Sequence, residues 1–124
     1  MTEWPTTDDR PVILTVARPA DAAAGTTVFG GWIMAQFDHA AGRAGRGLAG
    51  ACLIRAVQEM VFHAPLSVGS DFAVFAREVG RGRTSFTLEL AGIADPDGDR
   101  VPIASARFIM VAIDAAGSPR ALAA

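Results

Sequence analysis

A single cysteine, Cys52, stands in the 124 residues, so no disulfide can close within the chain. The lack of a disulfide fits a reducing cytoplasm, the compartment expected for the protein. Lysine, asparagine and tyrosine are absent, and all 11 basic residues are arginine. No stretch of about 18 apolar residues occurs, which excludes a membrane-spanning helix. The opening "MTEWPTTDDR" has no apolar h-region and does not read as a signal peptide. Net charge is −2 with no long run of one sign, so the footprint of a nucleic-acid binder is missing. His39 and His63 have no ligand spacing with Cys52 or the acids, and no metal is expected. There is no internal repeat and no linker.

What is present is apolar. Hydrophobic residues make up 51% of the chain. For so short a sequence that excess suggests that part of it lies at a subunit interface. The length fits one domain over 1–124, with 1–9 and 116–124 as flexible termini. "RPVILTVARP" (10–19) reads as a strand and "ADAAAGTT" (20–27) as a small-residue loop. "FGGWIMAQFDHAAGRAGRG" (29–47) reads as one helix with a glycine-rich exit. Four more strands follow at 51–64, 71–80, 84–94 and 100–115, separated by turn signals such as "RGR" and "DPDGD". One long helix against hairpin-linked strands is an α+β layer arrangement.

Asp38 is the anomaly. It sits in an apolar helix where its neighbours at helical spacing, Met34, Ala35, Ala41 and Gly42, cannot neutralise it. Either it faces solvent, or it is a carboxylate held in an apolar cleft for chemistry. Gly30 and Gly31 stand two turns earlier, a rise of about 12 Å from Gly30 to Asp38. Glycine at a helix start lets a ligand approach the free N–H groups, which favour a developing negative charge. The same pair could instead serve a tight helix–sheet contact. Glycines and acid together suggest acyl chemistry, with donors on a carbonyl oxygen and a carboxylate acting on water or attacking directly.

"PADAAAGTTVFGGWIMAQFD" resembles the opening of hotdog-fold acyl-CoA thioesterases of the YciA type, in which F-G-G-W-I-M is followed by an acid. "VFHAPLSVG", "VGRGRTSF" and "SARFIMVAIDAAGSPRAL" extend the resemblance over nearly the whole chain. It implies a hotdog fold, one long central helix wrapped by a five- or six-stranded antiparallel sheet. It places Asp38 at the catalytic acid, general base or nucleophile, and Gly30 or Gly31 at the oxyanion donor. It implies an active site between two subunits, hence at least a homodimer, with tetramers or hexamers beyond. Acyl-CoA is then substrate, and no cofactor is needed. "GRGRTS" gains a role as a phosphate grip for coenzyme A, with Arg81 and Arg83 beside Thr84 and Ser85, although a solvated hairpin turn is the plainer reading. The chain departs from the family at Ala23, aligned to an asparagine, and at Thr26-Thr27, aligned to glycine and aspartate. Gln58 or Glu59, reaching a partner's site, could compensate.

Weaker signals complete the set. His39 is expected at the surface or an interface, and His63 could line the cleft. Cys52 lacks a nearby base and reads as a structural thiol. Phe29, Met34, Phe37, Met60 and Phe62 could line an acyl pocket or form plain core. Three functions remain open: an acyl-CoA thioesterase, a hotdog dehydratase or hydratase, and a non-catalytic acyl-CoA binder.

Overall fold

In the computed structural model of the chain, residues 4–123 are described. The apolar spacing of 29–47 does produce a helix, α1, over Gly30–Ala49. Its buried residues, Ile33, Phe37, Ala40, Ala41 and Gly45, form one stripe at helical spacing. Five antiparallel strands receive that stripe: β1 (Ile13–Val16), β4 (Cys52–Phe62), β5 (Asp71–Arg81), β6 (Ser85–Ala94) and β7 (Val101–Ala112). Their order in the sheet is β1-β5-β6-β7-β4, so β1 and β4 are the edges. The fold is α+β, with the helix lying on one face of the sheet. The core between them is Phe37 with Phe72, Val74, Phe86, Leu88, Leu90, Phe108 and Met110, all almost fully buried. Fully burying such side chains contributes about 1.5–3 kcal/mol each.

Three details differ from the sequence reading. The first strand covers only 13–16, because Pro11 and Pro19 bracket it and Pro19–Asp21 forms a short helical turn. The loop at 20–27 contains a two-stranded hairpin, β2 (Ala22–Ala24) with β3 (Thr27–Val28). The glycines of "GRAGRG" are not an exit. The helix runs through them and ends at Gly50, whose positive φ of 73° suits glycine and whose N–H closes onto the Arg46 carbonyl at 3.0 Å. Gly45 is there for space: a Cβ on it would stand 2.7 Å from Cys52 Sγ.

Two features position the helix start. Because β4 and β5 lie apart in the sheet, segment 63–70 crosses the sheet's end beside it. It is tied down by bonds from Val28 N–H to the Leu66 carbonyl (2.8 Å), Val68 N–H to Thr26 (2.8 Å) and Gly69 N–H to Ala17 (2.9 Å). The β2–β3 hairpin leads directly into α1, and Phe29 N–H bonds back to the Asp21 carbonyl at 3.1 Å. On the opposite face of the sheet, Trp4 packs against Ala73, Phe75 and Ile93 and lies under the Arg77 guanidinium.

Candidate active site

The helix begins without a side-chain cap, since its N-cap residue is Phe29. Its first N–H groups are therefore unsatisfied from within. Among the described residues, no acceptor engages the Gly30 or Gly31 N–H. The tight-packing account of the two glycines fails here. A Cβ added to Gly31 meets nothing within 4 Å, and one on Gly30 meets only the Phe62 ring at 3.7 Å, an ordinary contact. Neither has a positive φ. Within this chain nothing demands glycine at either place, and both N–H groups stand open. A cavity of about 350 Å³ lies there, lined by Val28, Gly30, Ile33, Phe62 and the chain from His63 to Leu66.

Asp38 lies on the face of α1 turned away from the core, with Gly31, Met34 and Ala35. That face is uncovered in the single chain, and Met34 is 48% exposed. The carboxylate lines a groove of about 600 Å³ together with His39, Gly42, Arg43 and Arg46 from the helix and Cys52, Leu53 and Ile54 from β4. Burial pushes the Cys52 thiol up, against the pull of Arg46 and Arg120. A thiol held protonated is a poor nucleophile, in keeping with a structural role. Arg43 and Arg46 were not singled out as site residues from sequence. The available signal is their spacing of three within the same helix as Asp38, which places both on the groove that Asp38 lines.

The arginine turn joins β5 to β6, with Gly82 N–H on the Ser85 carbonyl at 2.7 Å. It is not near the glycine pair. The Thr84 carbonyl accepts from Ala112 N–H, and Ala112 pairs with Cys52, so the turn stands where the helix ends. The helix length of about 30 Å separates it from Gly30. Arg81 is held by Glu78 through two bonds, Nε at 2.7 Å and Nη2 at 3.3 Å. Arg83 is exposed and its side chain has no ion pair or hydrogen bond among the described residues. Thr84 and Ser85 are half-buried in the turn.

Ala23 sits exposed in β2, between the Ala22–Val28 and Ala24–Thr27 pairs, so the position aligned to asparagine lies in the hairpin that leads into the helix. Gln58 pairs with Arg107 on the sheet face away from the helix, and Glu59, at a bulge with φ of 52°, lines a depression on that face with Arg77 and Glu89. Neither approaches Asp38 within one chain. The His63 ring engages Ser105 Oγ at 2.7 Å, and His39 is exposed at the groove. Of the apolar candidates, Phe37 is core and Met60 packs at its margin, while Phe29, Met34 and Phe62 are exposed.

Among the described residues, no helix is long and apolar enough to cross a membrane. The family model of the thioesterase superfamily matches residues 25–100. Over 117 residues the chain is 36% identical to the acyl-CoA thioester hydrolase YciA of Salmonella typhimurium, covering 90% of this chain and 88% of that one. A hexameric thioesterase from Yersinia pestis superposes with a TM-score of 0.87 at 33% identity, covering 94% of this chain and 98% of the other. A hexameric hotdog fold thioesterase of Campylobacter jejuni superposes with a TM-score of 0.82 at 27% identity, over 91% and 90% of the two chains.

Proposed function

The chain belongs to the thioesterase superfamily, and on that premise we propose that it is an acyl-CoA thioesterase, hydrolysing R–CO–S–CoA to the free acid and CoA-SH. The observation that carries the mechanism is the open helix start. Gly30 and Gly31 offer two N–H donors to the thioester carbonyl, and Asp38 waits two turns along the same uncovered face. The donors stabilise the oxyanion as it forms; one such donor contributes about 2.7–4 kcal/mol to lowering the barrier. Asp38 takes a proton from water, which adds to the carbonyl carbon, or attacks that carbon itself. Collapse of the intermediate breaks the C–S bond. On the general-base route the proton that Asp38 took from water goes to the departing thiolate. On the direct route water hydrolyses the acyl–Asp38 anhydride, freeing the acid, restoring the carboxylate and supplying the thiolate's proton. Neither metal nor cofactor enters this scheme.

The arginine turn, Arg81 and Arg83 with Thr84 and Ser85, grips the phosphates of coenzyme A. One chain separates this turn from the glycine pair by the length of the helix, so the site is completed by a second copy. Two chains with helices side by side and antiparallel bring the turn of one to the glycine end of the other. The protein is accordingly a homo-oligomer of single-domain chains, at least a dimer, and its hexameric relatives suggest further assembly. It works in the cytoplasm. The test is thiol release from short-, medium- and long-chain acyl-CoAs. Turnover with at least one is expected, and A23N is expected to raise it by restoring an amide in the hairpin that leads into the helix. Tight acyl-CoA binding with no release of thiol from any chain length would make the protein a binder instead.

A further inference from the structure

The sequence reads as a strand to residue 115 and a flexible terminus over 116–124; in the structure residues 113–123 are tied to two separate parts of the molecule. Ile113 N–H donates to the Ala51 carbonyl at 3.0 Å. The Asp114 carboxylate accepts from Ala116 N–H (2.9 Å) and Ser118 N–H (3.0 Å), and Gly117 takes a φ of 82°, which folds the chain back. Pro119 bridges to Ile113, and Arg120 N–H reaches the Ala112 carbonyl at 2.8 Å. The Arg120 guanidinium donates to the carbonyls of Ile113, at 3.2 Å, and Ala49, the last residue of the helix. Leu122 N–H then donates to the Arg83 carbonyl at 2.8 Å, and Arg81 Nη1 donates to the Ala123 carbonyl at 3.1 Å. Leu122 packs its side chain against the core.

We propose that residues 113–123 are a positioning element for the arginine turn, fixing it to the end of the helix so that the Arg83 side chain is presented to the nucleotide end of acyl-CoA. This rests on the reading of the turn as a phosphate grip. The two arginines divide the work. Arg81 is a brace, held between Glu78 and the Ala123 carbonyl. Arg83 is anchored only through its backbone, and its guanidinium stays open. A grip whose backbone is fixed beforehand loses less freedom when it binds, which tightens binding without touching the chemical step.

The experiment is steady-state hydrolysis of an acyl-CoA and of the matching acyl-pantetheine, which lacks the nucleotide, by full-length L122P. That change removes the one N–H that holds the Arg83 carbonyl. KM for acyl-CoA should rise roughly three- to tenfold at unchanged kcat. KM for acyl-pantetheine should not move. Unchanged KM for both, or an equal rise in both, would overturn the proposal. If L122P fails to assemble as the wild type does, R120A frees the segment at its other anchor and carries the same readout. R83A separates the two levels of the argument. If it raises KM for acyl-CoA and the segment variants do not, only the segment's role fails. If it leaves KM unchanged, the phosphate grip is wrong and the segment's role goes with it.

Discussion

A methyl group added at Gly31 would meet no atom within 4 Å, whereas one at Gly92 would fall 2.6 Å from the Phe72 ring and 2.9 Å from that of Phe37. The two substitutions should therefore part company. G92A overpacks the contact between helix and sheet and should cost about 1–3 kcal/mol, read as a fall in melting temperature. G31A should keep or raise the melting temperature, since alanine favours a helix by up to about 1 kcal/mol over glycine. It should still lower kcat, because the methyl crowds the approach to the donors. Cys52 is tested by alkylation. Burial raises its pKa, so less thiolate is present in the folded chain at any pH near neutrality. Its reaction with iodoacetamide at pH 8 should be slower than in the unfolded chain, and an equal rate would refute the shift. At this scale the sequence exposed Asp38 by its odd company, but it could not say which glycines serve packing, because that depends on rings 20 to 60 residues away.

The helix and the long strands were legible as elements because their apolar residues recur at helical and alternating spacing. The boundaries were less so. The run "GRAGRG" has poor helix propensity, yet the helix continues through it because Gly45 lets Cys52, Phe86 and Met110 pack close. The weight of that packing falls on Phe37, fully buried at mid-helix and 6.4 Å from the Phe108 ring. F37A should cost about 3–5 kcal/mol in urea or thermal unfolding. A loss under 1 kcal/mol would mean that the helix is not seated on the sheet as described. The fold-back of 113–123 could not be read from "IDAAGSPRALA", since its partners Ala49, Ala51 and Arg83 are set by tertiary contact alone.

For the whole molecule, the single chain leaves an apolar edge open. β4 is an edge strand with a free side, and it exposes Leu53, Val57, Val61 and Phe62. An exposed apolar edge of this kind invites pairing with another chain. V57R should split the assembly, seen as a smaller mass by light scattering, and should abolish turnover although Asp38 is untouched. Retained activity in a monomer would remove the need for a second copy. The apolar excess in the composition is in keeping with this exposed edge, but a single sequence cannot say which groups would reach the groove. The most direct test of the central claim is thiol release by D38N beside the wild type, at matched assembly and melting temperature. Catalysis by the Asp38 carboxylate predicts a fall in kcat of about 10²- to 10⁴-fold with the oligomer intact. Turnover within twofold of the wild type would contradict it.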